Sequence, residues 1–250
     1  MSLYRTEAFV LRTYPLAEAH KICVFLTKDS GVLRGVAHGA RKMKSRFGSA
    51  LEPFTQVGLT YHENESRELM SVSTCDIVRS HFYLGARDVQ TSTAFSYISE
   101  LLIEFMPERE ANERLYRLLG ATLDAIEDGR NLTPTLRYFE TWLLRLAGFF
   151  PDAGHCSSCD EPTGPDLPVF LAMDGTPRCQ ACSGGRGMVM SATLRGAISR
   201  ILSRHPSSMN DGDIARRDAA ELGEINYQII RHALEHDLKS RSFLREFGAS

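Results

Sequence analysis

Four cysteines in two Cys-x-x-Cys pairs constrain this 250-residue chain more than any other sequence feature. Cys156 and Cys159 form the first pair, and Cys179 and Cys182 form the second, nineteen residues further on. Each short loop turns two thiolates toward one cation, and a hairpin between the pairs brings all four together, as in a zinc ribbon or treble-clef site. We therefore expect a structural zinc ion with these four ligands, in a loop-rich insertion at about 152–190.

Other interpretations of the cysteines are less consistent with the sequence. A redox dithiol needs one pair, not two pairs at zinc-ribbon spacing. A catalytic zinc needs an open coordination position, which four thiolates fill, although His155 could substitute as a ligand. A nucleobase deaminase needs a His-x-Glu motif, and none occurs in the chain. The zinc is expected to be structural.

Composition restricts the class of protein. The chain is 43% hydrophobic and 24% charged, which is typical of a globular protein. No run approaches the ~20 apolar residues of a membrane span, and the charged start does not resemble a secretory signal. We expect a cytoplasmic protein without membrane contact. The net charge of −2 hides an excess of cations at both ends and of carboxylates in the middle, which permits local basic patches.

Residues 6–80 have the pattern of a β domain. Apolar runs at 6–13, 22–27, 32–37, 54–61 and 69–78 predict five short strands, and Cys23 is expected in their core. Polar turns separate them, including one from His62 to Glu68. Five strands at this spacing suit a small sandwich or a small barrel of the OB type, and we favour the barrel.

The periodicity becomes helical after residue 80. Thr133 and Pro134 predict a helix start, and a last long helix is expected over about 213–240. The predicted fold class is α+β with more than one domain. An OB-fold nucleic-acid-binding domain covers 1–80, and a helical domain with the inserted zinc module covers 81–250.

A basic loop follows the third predicted strand. Between Gly31 and Leu51 there is no acidic residue, and a glycine-punctuated basic loop can follow a phosphate backbone. Phe47 and Phe54 lie nearby and could stack on bases, although Phe54 could equally belong to the core. The simpler alternative is a solvated charged loop. The candidate DNA-binding residues are Arg34, Arg41, Lys42, Lys44 and Arg46.

Two further groups of cations lie near the C-terminus. They could extend the DNA path, or they could offset helix dipoles at helix C-termini. The candidate secondary DNA-binding residues are Arg195, Arg200, Arg204, Lys239 and Arg241.

Motifs for catalysis are missing from the sequence. It contains no phosphate-binding loop, no Gly-x-Ser-x-Gly elbow and no His-Glu-x-x-His helix. This favours a binding protein over an enzyme, with no catalytic residues assigned.

Three segments together resemble the bacterial recombination and repair family RecO. The first begins Glu7-Ala8-Phe9-Val10-Leu11-Arg12. The second is Gly39-Ala40-Arg41-Lys42-Met43-Lys44-Ser45-Arg46 with Leu51-Glu52-Pro53-Phe54. The third is Leu143-Leu144-Arg145-Leu146-Ala147-Gly148-Phe149-Phe150-Pro151 leading to Cys156.

The resemblance implies a non-enzymatic DNA-binding recombination mediator. Such proteins bind single- and double-stranded DNA without sequence preference and anneal complementary strands. With RecR they help to load RecA onto DNA coated by single-strand binding protein (SSB), whose C-terminal tail they bind. The resemblance also implies a cytoplasmic, nucleoid-associated protein. The competing hypothesis is a zinc-ribbon adaptor of transcription or translation that binds RNA or protein.

Overall fold

The computed structural model describes residues 2–63, 68–209 and 212–247. The chain divides into two compact units, one built mainly from residues up to Arg117 and one mainly from Leu118 to Arg245. The α+β class is confirmed, because strands dominate the start of the chain and helices the remainder. The turn expected from His62 to Glu68 lies in part outside the described residues, at 64–67.

Five strands form the N-terminal sheet, close to the expected positions. They pair in the order β1-β2-β3-β5-β4, and the pairing of β4 with β1 closes the sheet. Successive side chains of a strand point to opposite faces of the sheet, so every second side chain points inward. The inward-facing side chains are apolar and include Phe25, Val57 and Leu59. The strands are β1 (Ser2–Leu16), β2 (His20–Thr27), β3 (Gly31–Ala37), β4 (Thr55–Glu63) and β5 (Met70–Ser80).

Both phenylalanines near the basic loop are buried. Phe47 is 3% exposed and Phe54 is 1% exposed, and Phe47 belongs to the apolar cluster inside the sheet. Phe54 packs against Phe95 with ring centroids 4.4 Å apart. The expectation that these rings stack on nucleic-acid bases is therefore wrong, because a buried ring presents no face to a ligand, and the core alternative for Phe54 is correct.

A segment far along the chain lies against the edge of β3. Residues 106–112, which we call the closing segment, form a parallel bridge between Glu108 and Val32. The backbone N–H of Arg109 donates to the Val32 carbonyl at 3.1 Å. Gly31 permits the close approach, since a Cβ there would lie 2.0 Å from the Glu110 carbonyl oxygen. The segment gives the strand edge hydrogen-bond partners that it would otherwise lack.

Eight helices account for most of the remaining described chain. They are α1 (Phe82–Arg87), α2 (Val89–Phe105), α3 (Glu113–Glu127), α4 (Leu132–Leu146), α5 (Gln180–Ser183), α6 (Ala192–Ser203), α7 (Arg216–Leu234) and α8 (Lys239–Phe247).

Two helix boundaries differ from expectation. Asn131, not Thr133, caps α4, because its side chain accepts from the Thr133 backbone N–H at 3.1 Å. The single helix expected over 213–240 is wrong. Glu235 takes a left-handed backbone conformation at φ 61°, which ends α7, and α8 begins at Lys239.

A small sheet forms between α4 and α6. It consists of β6 (Val169–Leu171), β7 (Pro177–Arg178) and β8 (Met188–Met190), with β6 in the centre. This sheet and α5 form the insertion that carries the cysteines. No helix among the described residues has the length and apolarity needed to cross a membrane.

Candidate metal centre and basic loop

The two cysteine pairs lie on two tight turns that face each other. In the first turn, the Asp160 N–H donates to the Cys156 carbonyl at 2.8 Å. In the second, Cys179 caps α5, and its sulfur accepts from the Cys182 backbone N–H at 3.4 Å. A hydrogen bond of 2.9 Å from the Ser157 N–H to the Pro177 carbonyl holds the turns together. Local turn geometry therefore brings both pairs to one point.

The four sulfur atoms have the spacing that a tetrahedral metal site requires. All four lie within 4.8 Å of one another, and the Sγ atoms of Cys159 and Cys179 are 3.9 Å apart. A tetrahedron with metal–sulfur bonds of about 2.3 Å has edges of about 3.8 Å. The four predicted ligands therefore fit one zinc ion, and His155 is not part of the group.

The thiol electrostatics agree with a cation site. Hydrogen bonds from the backbone at Cys179 and Ser158 lower the pKa of Cys156 to about 6. The sulfurs of Cys179, Cys159 and Cys156 raise the pKa of Cys182 to about 12. One thiolate is stabilised and a second is opposed by its neighbours, so four thiolates need the charge of a metal ion.

The basic loop, residues 38–46, is fixed at both ends. At its start, the Gly39 N–H donates to His20 Nδ1 at 3.0 Å. Arg41 donates from Nη1 to the Ala17 carbonyl at 2.7 Å and from its backbone N–H to the Ala19 carbonyl at 3.1 Å. These bonds attach the loop to the turn between β1 and β2.

The far end of the loop rests on the N-terminal sheet. The Arg46 guanidinium lies over the Phe47 ring, 4.9 Å from its centroid, and donates to the Val72 carbonyl at 3.4 Å. Lys42 and Lys44 are exposed on either side of the fully exposed Met43. Within the described part of the chain, neither lysine has an acidic partner. The loop thus presents two unpaired cations from a fixed base.

Arg34 differs from the loop cations because a carboxylate already pairs with it. Its Nε donates to Glu108 of the closing segment. Arg109 of the same segment forms an ion pair of 3.1 Å with Glu63. These partners lie 74 and 46 residues apart in sequence, so no local pattern identified them. The isolated Glu108-Arg109-Glu110 charge run is the only signal that the sequence contained.

Comparisons with known proteins agree with these features. A model described as "Recombination protein O N terminal" matches residues 1–81, and one described as "Recombination protein O C terminal" matches residues 86–242. A DNA repair protein RecO from Koribacter versatilis is 32% identical over 97% of this chain and 98% of its own length. A DNA repair protein RecO from Desulforudis audaxviator is 30% identical over 100% and 99%.

The chain belongs to the RecO family. The matched ranges, 1–81 and 86–242, extend over both compact units and span the positions of the basic loop and of the four cysteines. The resemblance found in the sequence is confirmed.

The secondary cations of this RecO-family chain make contacts inside the second unit. Arg204 pairs with both carboxylate oxygens of Asp213 at 3.1 Å, and Arg200 donates to the Asp213 carbonyl at 3.0 Å. Arg241 pairs with Glu224 at 3.0 Å and is only 9% exposed. Lys239 begins α8. Arg195 donates to the backbone carbonyls of Ala153, Thr163, Gly164 and Leu167.

These contacts give the arginines a structural role. Arg195 fixes the start of the zinc insertion, and Arg204 and Arg241 each neutralise a carboxylate. A DNA-binding role for the secondary set stays a prediction, and any such role competes with these internal bonds.

Proposed function

We propose that this RecO-family chain is a recombination mediator that binds DNA during repair. It binds single- and double-stranded DNA without sequence preference, anneals complementary strands and helps RecR to load RecA onto SSB-coated single strands. The observation that carries the proposal is the fixed basic loop with Lys42 and Lys44 unpaired at its tip, in a chain whose relatives are named for DNA repair.

The N-terminal sheet supports this function if it is an OB-fold. The strand order and the Greek-key connection from β3 through β4 to β5 suit that assignment. We assign residues 1–80 to the DNA-binding domain and 81–250 to the helical domain.

The basic loop accounts for binding that ignores sequence. Lysine ammonium groups neutralise phosphates, and phosphate contacts carry no base information. Annealing requires two phosphate backbones to come together, which costs electrostatic repulsion unless cations lie between them. Lys42 and Lys44 face the solvent and can contact either strand. Arg41 and Arg46 hold the loop and add positive potential close to the same surface.

The zinc module is a structural element in this proposal. Four cysteines complete the coordination shell and leave no position for a reacting water. When bound, the metal would cross-link the two cysteine-bearing turns and would take no part in a reaction. The metal site therefore has no catalytic role in this proposal, in which the chain acts by binding and not as an enzyme.

The proposed partners are DNA, RecR, the SSB C-terminal tail and, through loading, RecA. The test is annealing of complementary oligonucleotides pre-coated with SSB, at increasing salt, with uncoated oligonucleotides in parallel. We expect annealing in both cases and a decline with salt, because phosphate contacts release counterions. A folded, zinc-loaded protein that anneals neither pair would contradict the proposal and favour the RNA- or protein-binding adaptor.

A further inference from the structure

The four cysteines of the metal site are not equally exposed. Cys159 and Cys182, the second member of each pair, are exposed, whereas Cys179 is half-buried and Cys156 is buried. The first member of each pair thus lies toward the interior of the zinc insertion, and the second lies toward solvent. A small oxidant in solution can therefore reach Cys159 and Cys182 while the insertion stays folded.

Metal binding keeps these two exposed cysteines in their reactive form. A thiol must lose its proton to become a metal ligand, and the thiolate is the form that attacks an oxidant. Susceptibility to oxidation follows thiolate character together with exposure. The exposed ligands meet both conditions. Cys23 and Cys75 are buried in the core of the N-terminal sheet and lie outside the metal site, so they provide an internal control.

A second sulfur lies close to Cys159 on the opposite turn. The Sγ atoms of Cys159 and Cys179 are 3.9 Å apart. A disulfide requires a separation of about 2.05 Å, so a shift of about 2 Å brings these sulfurs into bonding distance. The hydrogen bond of 2.9 Å from the Ser157 N–H to the Pro177 carbonyl holds the backbones of the two turns together. The two sulfurs are therefore placed to bond across the turns.

We propose that Cys159 is an oxidation site and Cys179 its resolving thiol, so that a peroxide replaces the metal ion of the zinc insertion by a disulfide between the two turns. The inference goes beyond the proposed DNA-binding function and does not depend on it. It makes the zinc insertion a redox-sensitive element of the chain.

The reaction takes two steps, with hydrogen peroxide as the oxidant. The Cys159 thiolate attacks one peroxide oxygen, an S–O bond forms, the O–O bond breaks and hydroxide leaves, which oxidises the sulfur to a sulfenic acid. The Cys179 thiolate then attacks that sulfur, the S–S bond forms, the S–O bond breaks and a second hydroxide leaves. Two protons convert the hydroxides to water. The two cysteines lose two electrons, and the peroxide gains them.

The disulfide joins the same two turns as the metal ion. It leaves only Cys156 and Cys182 as ligands, and a structural zinc site needs four, so the ion is released. The oxidised chain keeps one covalent link between the turns, whereas the chelated and reduced chain has none, and a cross-link also restricts the unfolded chain. We therefore expect the melting temperature to decrease in the order zinc-loaded, oxidised, chelated.

The experiment treats the full zinc-loaded chain with hydrogen peroxide and follows zinc release with a chromogenic chelator. Free thiols are then blocked, and the chain is digested with trypsin without a reductant. Trypsin cleaves after Arg145, Arg178 and Arg186, so the two cysteine pairs fall on separate peptides, 146–178 and 179–186. Mass spectrometry thus distinguishes a disulfide between the turns, which joins these peptides, from disulfides within each pair, which leave them separate.

We expect zinc release to accompany formation of the joined peptide, while both core cysteines stay free thiols. Dithiothreitol with added zinc should restore the metal-bound form and its melting temperature. Two double variants form a matched pair, because each keeps one cysteine on each turn. C156S/C182S keeps Cys159 and Cys179 and should form the joined peptide. C159S/C179S keeps the buried Cys156 with Cys182 and should lose most of it.

Several results would overturn the inference. One is a wild-type chain that keeps its zinc under peroxide, and another is zinc release with disulfides confined within each pair. Oxidation that dithiothreitol does not reverse would exclude the resolving step. Equal joining of the peptides in both double variants would exclude the assigned pair of cysteines. A purified chain that holds no zinc would refute the metal site together with the switch.

Discussion

At the scale of single residues, the cations of the basic loop fall into two kinds. Arg41 and Arg46 use their guanidinium groups to hold the loop against the N-terminal sheet. Lys42 and Lys44 extend from it into solvent. Arg34 belongs to neither kind, because Glu108 neutralises it. A phosphate must displace that carboxylate before it can pair with Arg34, so we expect the lysines to contribute more binding free energy.

Replacing both lysines should therefore weaken DNA binding and its salt dependence. The K42Q/K44Q variant removes two phosphate contacts, so the slope of log affinity against log salt for single strands should fall by about 1.4. R34Q should change the slope less, and R5Q, at an exposed position of β1, should not change it. Anisotropy titrations at several salt concentrations measure the slopes. An unchanged slope for K42Q/K44Q would refute the assignment.

The six cysteines should react in two separate groups. Burial is the main cause that raises the pKa of Cys23 and of Cys75 to about 12, so neither forms the reactive thiolate near neutral pH. Thiol titration with a disulfide reagent should therefore find four reactive groups after chelation and two more only after unfolding. Six reactive groups after chelation alone would contradict the burial of this pair.

The same two thiols also predict alkaline instability. Folding favours their neutral forms, so their contribution to the free energy of unfolding is present below the ordinary pKa of 9.0 and decreases as pH rises from there toward 12. Denaturant unfolding at several alkaline pH values measures the decrease. C23A/C75A should show a smaller decrease than the wild type.

At the scale of elements, α4 and α7 meet across buried polar groups. Arg137 and Glu140 are 3% and 1% exposed, and their charged groups are 3.3 Å apart. Asn226 of α7 donates to Glu140 Oε2 and to Thr141 Oγ1, both at 3.2 Å. Gly223 leaves room for the Arg137 guanidinium. A buried charge pair tolerates the loss of a partner poorly, so this contact fixes how the two helices pack.

Alanine at Gly223 should destabilise the protein, although alanine favours helices. Its Cβ would lie 1.7 Å from Arg137 Nη1, and overpacking of this kind costs about 1–3 kcal/mol. G196A in α6 is the matched control, since its nearest atom lies at 3.6 Å and helix propensity favours it by up to about 1 kcal/mol. Chemical denaturation measures both. Equal stability of the two variants would contradict the close contact.

At the scale of the whole molecule, positive and negative side chains are distributed unevenly along the chain. The net charge of −2 gives no general attraction to DNA, so the proposed DNA binding relies on the local positive surface of the basic loop. The zinc module lies in the second compact unit, whereas the basic loop lies in the first. The proposal thus places the structural metal site and the DNA contact in different compact units of the chain.

Removal of zinc should lower stability more than it lowers DNA affinity. Chelation releases the two turns that the metal joins, and structural zinc contributes folding free energy directly. We expect a lower melting temperature, while affinity for single strands, measured well below that temperature, stays close to the wild-type value. The C182S variant should reproduce both results. A parallel loss of affinity would show that the metal site contributes to DNA binding.

The sequence by itself determined the features whose signals are local. The four-cysteine cluster follows from spacing, the strands of the N-terminal sheet from alternation, and the basic loop from a run of residues without carboxylates. Only the tertiary structure decided which of these side chains are exposed and unpaired, and so free to contact a ligand. A long-range contact pairs Glu108 with Arg34, and core packing buries Phe47. Strand register aligns Tyr14 with Ile22 and Val36. Burial, ion pairing and register depend on residues far apart in the chain, so their outcome becomes defined only when the chain has folded.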